Sequence, residues 1–161
     1  MLPERNILLS MDDEKLGSFC RISFIKGSGP GGQKRNKCSS AVKIDLPELE
    51  ISVRDCTERS PHRNRNNAKR KLRMEIAFKF RSSPAELPEK MDCSLSSPTY
   101  PLFAAKLLDV FAASSCDHRL AAEKCGISSS ALIKKVHRDP KLWQKIKQMR
   151  QNEGLDNLIA P

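Results

Sequence analysis

Between residues 82 and 101 the sequence carries Pro84, Pro88, Pro98 and Pro101 among repeated serines, with no sustained apolar period. Proline fixes φ and removes a backbone donor, so no regular element can run through such a stretch. The 161 residues are thereby divided into two modules, each with only a modest core, because buried fraction grows with chain length and is still marginal near about 60 residues. The expected organisation is a module over residues 1–81, a linker over 82–98 and a second module over 99–161.

The periodicity of the first module changes along the chain. Ser10 ahead of Met11-Asp12-Asp13-Glu14 predicts an N-cap and acids in the first turn of a short helix that stops at Gly17. In Cys20–Ile25 the apolar Ile22 and Phe24 alternate with Arg21 and Ser23, which is strand periodicity. From Lys26 to Lys37 the glycines and Pro30, with no branched apolar residue, require a loop. Ala41–Leu46 alternates, Pro47-Glu48 turns, and Leu49–Val53 alternates again, predicting a hairpin. Pro61 suits the first turn of a helix, and Ala68, Leu72, Ile76 and Phe80 recur every four residues, giving a helix through Arg81 whose apolar stripe covers the sheet. The fold class is therefore α+β: a small mixed sheet, a packed basic helix and a projecting glycine-rich loop.

The second module reads as all-α. Leu102–Ala113 is rich in Ala and Leu, Asp117 and Ser128 are placed to cap a second and a third helix, and Asp139-Pro140 starts a fourth that ends near Gly154. Ala122, Gly126 and Leu132 have helix-turn-helix spacing, with Gly126 at the turn and Ile127 packing beneath.

Lys and Arg number 29 against 19 Asp and Glu, a net charge of +10 with a pI near 9.5, which favours a polyanionic partner. The base is concentrated on the predicted helix: Arg63, Arg65, Lys69, Arg70, Lys71 and Arg73 occupy it, and Glu75 is the only acid between Arg59 and Arg81. Like charges at helical spacing repel, and a phosphate backbone relieves that repulsion. Apolar runs such as Ile7-Leu8-Leu9 are far too short for a membrane span, and no signal or transit pattern is present. The six cysteines form no C-x-x-C pair and none sits at metal-ligand spacing with His, so reduced thiols, a cytoplasmic location, and neither metal nor cofactor are expected. Cys20 and Cys125 read as small core residues.

The loop carries the chemistry. Gly29-Pro30-Gly31-Gly32-Gln33 is flanked by Lys26, Lys34, Arg35 and Lys37 without a single acid, a backbone suited to close approach to a crowded anionic site. Consecutive exposed N–H groups there can stabilise a developing oxyanion. The spacing is not that of a Walker phosphate loop and only loosely that of a dinucleotide fingerprint. The loop offers no carboxylate, His or Cys pair for protein-based hydrolysis, so a partner must supply the remaining chemistry.

Ser28-Gly29-Pro30-Gly31-Gly32-Gln33, then Asn36-Lys37 and Ser40-Ala41-Val42, and downstream Glu58-Arg59-Ser60 with Asn64-Arg65 and Ala68, resembles the catalytic domain of class I peptide chain release factors, in register over about residues 18 to 80. The resemblance implies a loop that enters the peptidyl transferase centre and promotes water attack on the ester of P-site peptidyl-tRNA. It assigns Gly31, Gly32 and Gln33 to catalysis, with the Gln33 backbone N–H on the developing charge and its side chain orienting water. It places Lys26, Lys34, Arg35, Asn36, Lys37, Arg59, Ser60, Arg63, Asn64, Arg65 and Lys69 against rRNA or tRNA. Where the family commonly has R-S-Q, this chain has Arg59-Ser60-Pro61, and its hairpin turn reads Leu46-Pro47-Glu48-Leu49. His62, alone at a charged helix start, is not assigned catalysis.

Stop-codon-reading members carry a codon-recognition domain ahead of the glycine-rich domain, and about 18 residues precede it here, so codon-independent hydrolysis, as in short ribosome-rescue hydrolases, is the expected activity. Ser97-Pro98-Thr99 lies in the linker and reads as a turn. In the second module Lys134, Lys135, His137, Arg138, Lys141 and Lys145, together with Lys147 and Arg150, form a candidate nucleic-acid face for the messenger channel or small-subunit rRNA. The same segment is equally a plain helical bundle with Leu132, Ile133, Val136, Leu142, Trp143 and Ile146 inside. A non-enzymatic RNA- or DNA-binding regulator with a helix-turn-helix-like domain is the alternative to the hydrolase reading.

Overall fold

The computed structural model describes residues 2–25 and 40–161, and the chain divides into two compact units, residues 1–76 and 77–161. The fold is α+β, with three strands and seven α-helices among the described residues.

In the first unit α1 (Arg5–Ser10) and α2 (Asp13–Ser18) precede β1 (Arg21–Ile25), β2 (Ala41–Leu46) and β3 (Ile51–Asp55), and α3 (Pro61–Lys79), which belongs to this unit through Ile76, follows. The expected N-cap at Ser10 is instead Asp12, whose carboxylate accepts from the Lys15 N–H at 2.8 Å, while Ser10 ends α1. Asp12 is the better acceptor for the positive end of a helix. Gly17 lies within α2 rather than stopping it.

The sheet order is β1-β2-β3 and both pairings are antiparallel, where a mixed sheet was expected. A parallel pair needs a long crossover, and the β2–β3 connection is only a short turn. Between β2 and β3 a 3-10 turn over Pro47–Leu49 closes through Glu50 in the left-handed region (φ 52°). Central β2 buries Ala41, Val42, Ile44 and Leu46, and β3 alternates, with Ile51, Val53 and Asp55 inside. Edge strand β1 departs from its pattern: Phe24, expected to face the core, is 54% exposed, and among the described residues no strand flanks β1 on its outer side.

The core of this unit joins Leu8, Leu9 and Leu16 to the sheet residues and to Ala68, Leu72 and Ile76 of α3. Burial of each large aliphatic side chain contributes about 2 kcal/mol. Phe80, the expected fourth member of the stripe, lies beyond the helix and is half-buried. Arg73, read as part of the basic face, is buried; its guanidinium donates to the carbonyls of Leu8, Leu9 and Met11 at 3.3, 3.1 and 2.7 Å and to Asp13 at 3.1 Å.

The second unit holds α4 (Tyr100–Ala112), α5 (His118–Lys124), α6 (Ser129–His137) and α7 (Pro140–Asn152). The caps stand where the sequence puts them. Asp117 accepts from Arg119 and Leu120 N–H, Ser128 from Ala131, and Asp139 from Lys141 and Leu142. Gly126 (φ 67°) makes the turn between α5 and α6, and Gly154 (φ 71°) follows α7. Ala104, Ala105, Leu107, Leu108, Phe111, Leu132, Val136, Leu142 and Ile146 form the core, with Trp143 at its margin. Arg150, expected on the basic face, is 6% exposed and donates to the carbonyls of Cys116 at 2.5 Å and Asp156 at 3.0 Å. Cys20 and Cys125, expected as core residues, are half-buried free thiols. Among the described residues no helix is long and apolar enough to cross a membrane.

Candidate functional site

Gly31, Gly32, Gln33, Lys26, Lys34, Arg35, Asn36 and Lys37 lie outside the described residues. Their base does not. Ile25 and Ala41 are directly opposed partners, the last described pair of the β1–β2 ladder, so the segment between them leaves and returns at one point of the sheet. Ala41 is fully buried, and Ser40 is the first described residue on the return side.

Asn64, in the first turn of α3, reaches that return. Its Nδ2 donates to the Ser40 carbonyl at 2.7 Å and to the Glu58 carbonyl at 2.9 Å, and its Oδ1 accepts from the Glu58 N–H at 2.8 Å. No part of Asn64 is exposed. The carboxamide pairs with the Glu58 peptide as a backbone group would, and its second amide hydrogen ties in residue 40. Sequence reasoning assigned Asn64 to RNA contact; in the structure it is an interior clamp. The signal for this was available, since Asn64 begins the row Asn64, Ala68, Leu72, Ile76 at spacing four, the buried stripe of the helix.

The basic residues around this clamp have separate positions. Arg59, Arg63 and Arg65 are exposed, next to Asn64 in sequence and at the helix end that holds Ser40. Arg63 also faces Glu58 at 3.8 Å. Ser60 is the cap of α3: its Oγ accepts from the Arg63 N–H at 3.4 Å and its carbonyl from Asn64. Lys69 is turned the other way, onto Asp13 at 3.0 Å, with 17% of its side chain exposed. No acid stands in the first turn of α3. A helix N-terminus carries a partial positive charge that favours acids, so arginines there have the wrong sign for stability. A bound anion reverses that sign.

On the second unit Lys134, His137, Arg138 and Lys141 are exposed, whereas Lys135 and Lys145 are half-buried. Lys135 and Arg138 converge on Asp92, at 3.6 and 3.5 Å, which removes part of the positive charge from the face. The His137 ring stands edge-on to Trp143 with centroids 5.1 Å apart.

The RF-1 domain family model matches residues 10–95, more than half of the chain. A peptide chain release factor homolog of Escherichia coli is 37% identical over 75 residues, which cover 47% of this chain and 35% of that protein. Peptide chain release factor 1 of Xylella fastidiosa is 37% identical over 65 residues, 40% of this chain and 18% of that protein. An uncharacterised, mitochondrial peptide chain release factor-like protein of Saccharomyces cerevisiae is 41% identical over 68 residues, 41% of this chain and 43% of that protein. The matched region thus spans less than half the length of each relative. No solved structure matches the chain. By the extent of the family match, the chain belongs to the RF-1 domain family.

Proposed function

We propose that this chain is a ribosome-dependent peptidyl-tRNA hydrolase that releases nascent chains without requiring a stop codon. The observation that carries the reading is the sequence Gly31-Gly32-Gln33, flanked by basic residues and set between paired strands of an RF-1 domain. In this reading the loop stands beside the ester that joins the peptide to P-site tRNA. The Gln33 N–H donates to the developing charge, and its side chain orients the attacking water. The ester's acyl–oxygen bond breaks, the peptide leaves as a carboxylic acid and the tRNA 3′ oxygen takes a proton. Large-subunit rRNA surrounds the reaction, and Arg59, Arg63 and Arg65 hold its phosphates. Their placement at the positive end of α3, without an acid in the first turn, supports a polyanionic partner.

The finer part of the reading is codon independence. What accompanies the RF-1 domain in these residues is a basic all-helical unit, which in this reading contacts the messenger channel or small-subunit rRNA through Lys134, His137, Arg138 and Lys141. The deciding measurement is peptide release from purified ribosomes holding P-site peptidyl-tRNA, with a stop codon, a sense codon or no codon in the decoding site. Equal release in all three states is expected, with loss of release but retention of binding in Gly32→Ala and Gln33→Ala. Release confined to stop codons removes the codon-independent part. Unchanged release by both variants removes the assignment of the loop.

A further inference from the structure

We infer that Asn64 is a positioning residue for peptide release: it fixes the carbonyl of Ser40, at the return of the glycine-rich segment, to the Glu58 peptide, and so sets the rate of hydrolysis without touching substrate. The inference rests on the hydrolase reading above.

The amide is suited to this role and to little else. A carboxamide has two N–H donors and one carbonyl acceptor, and here Nδ2 serves two carbonyls while Oδ1 serves one N–H. The reverse orientation would set an oxygen against two oxygens, so the partners fix the amide's direction. Aspartate has the same shape but presents a carboxylate oxygen to the Ser40 and Glu58 carbonyls. Glutamine adds a methylene where no surface is exposed. With no exposed surface, Asn64 cannot contact RNA directly.

Its partners also separate this residue from an ordinary member of the core. Ala68, Leu72 and Ile76 continue the same row as buried apolar side chains, whereas the Asn64 side chain bonds the backbone of Ser40 and Glu58. Among the described residues the ladder ends at Ile25↔Ala41, and the bond to Ser40 anchors the residue next to Ala41 on the return side. A catalytic group misplaced by about 1 Å can lose about 100-fold in rate, so a loosened anchor is read in the chemical step first.

The test uses the full chain and ribosomes carrying P-site peptidyl-tRNA. Asn64→Ala and Asn64→Asp are compared with wild type and with Leu72→Ala, which weakens the same helix row without touching Ser40 or Glu58. Thermal melts give the folded fraction of each, ribosome binding is titrated, and single-turnover release is measured at saturating protein. The expected result is ribosome affinity near wild type in all four proteins. Release should be about 10- to 100-fold slower in both Asn64 variants and near wild type in Leu72→Ala once folded fraction is matched. If Asn64→Ala does not fold, Asn64→Ser, which keeps one donor, takes its place. Release from the Asn64 variants equal to that of Leu72→Ala, or a loss confined to binding, overturns the positioning role while wild-type activity leaves the hydrolase reading standing. A wild-type chain that releases no peptide removes both.

Discussion

Lys71 Nζ lies 2.6 Å from Asp55 Oδ2, and that carboxylate, at the end of β3, keeps only 1% of its side-chain surface exposed. The same lysine donates to the Arg54 carbonyl at 3.2 Å, and Thr57 adds bonds to Asp55 from its hydroxyl at 2.8 Å and its N–H at 3.2 Å. One buried acid thus joins β3, the following turn and α3.

Burial alone would push the Asp55 carboxyl up, but the hydrogen bonds from Lys71 and Thr57 outweigh it and hold the group below its ordinary value of 3.8. A carboxylate whose folded-state pKa is depressed stabilises the fold above its unfolded pKa and loses that contribution as pH falls through the folded value. Urea unfolding of wild type and Asp55→Asn should therefore show a constant stability gap near neutral pH that shrinks below about pH 4. A gap independent of pH would mean that the charge of Asp55 contributes nothing.

Arg73→Met tests the buried guanidinium. Six-residue α1 has no side-chain N-cap and no basic residue in its last turn, and Arg73 of α3 supplies donors to the carbonyls at its end. Charge-assisted bonds of this kind contribute about 1.5–3 kcal/mol each in the strongest cases and are not additive, so a net loss of about 3 kcal/mol is expected. Denaturant titration measures it, and amide exchange should accelerate selectively over residues 5–18. Uniform acceleration across the first unit would show that Arg73 supports the whole core rather than α1.

Several elements follow from local pattern because their causes are local. The hairpin is set by alternation around Pro47-Glu48, α3 by spacing four after Pro61, and α5, α6 and α7 by Asp117, Ser128 and Asp139 accepting from the next turn's N–H groups. What the pattern does not reveal depends on distant partners. Helix α1 is too short to be stable alone and is completed by Arg73, more than 60 residues away. Phe24 is exposed on a strand that lies at the sheet edge among the described residues, a position that a single strand's alternation does not encode. Arg73 and Arg150 count as positive charge in a composition, yet carbonyls from other segments draw both inside. At the candidate site the residue types of Gly31-Gly32-Gln33 are legible as they stand, whereas Asn64 acquires its role only through Ser40, 24 residues back.

Tyr100, the only tyrosine in the chain, donates its hydroxyl to Asp139 Oδ2 at 2.9 Å, while Oδ1 of the same carboxylate caps α7. Burial, together with the charge and hydrogen bond of Asp139, pushes the phenol well above its ordinary value of 10.0. A raised folded-state pKa means that the stabilisation is complete below the unfolded pKa and declines as pH rises beyond it. The absorbance of the single phenol should therefore show no ionisation until the second unit unfolds in alkali. A titration complete near pH 10 with the helices intact would contradict the buried bond.

Lys134 and Lys141 separate an RNA-facing surface from a merely solvated one. Both are exposed, one on α6 and one at the start of α7, so replacing them alters charge with little effect on packing. Each lysine that neutralises a phosphate contributes about one unit to the slope of log affinity against log salt. In the full chain, Lys134→Glu with Lys141→Glu should weaken ribosome binding and reduce that slope by about two, with the helical circular dichroism unchanged. Charge reversal at Asp92, which lies 3.6 and 3.5 Å from Lys135 and Arg138, should act in the opposite sense: Asp92→Lys adds base to the same face and should tighten binding at low salt. Opposite shifts in the two variants, both diminishing as salt rises, are what an electrostatic RNA contact requires. Shifts of the same sign, or none, would assign these lysines to solvent rather than to an RNA contact.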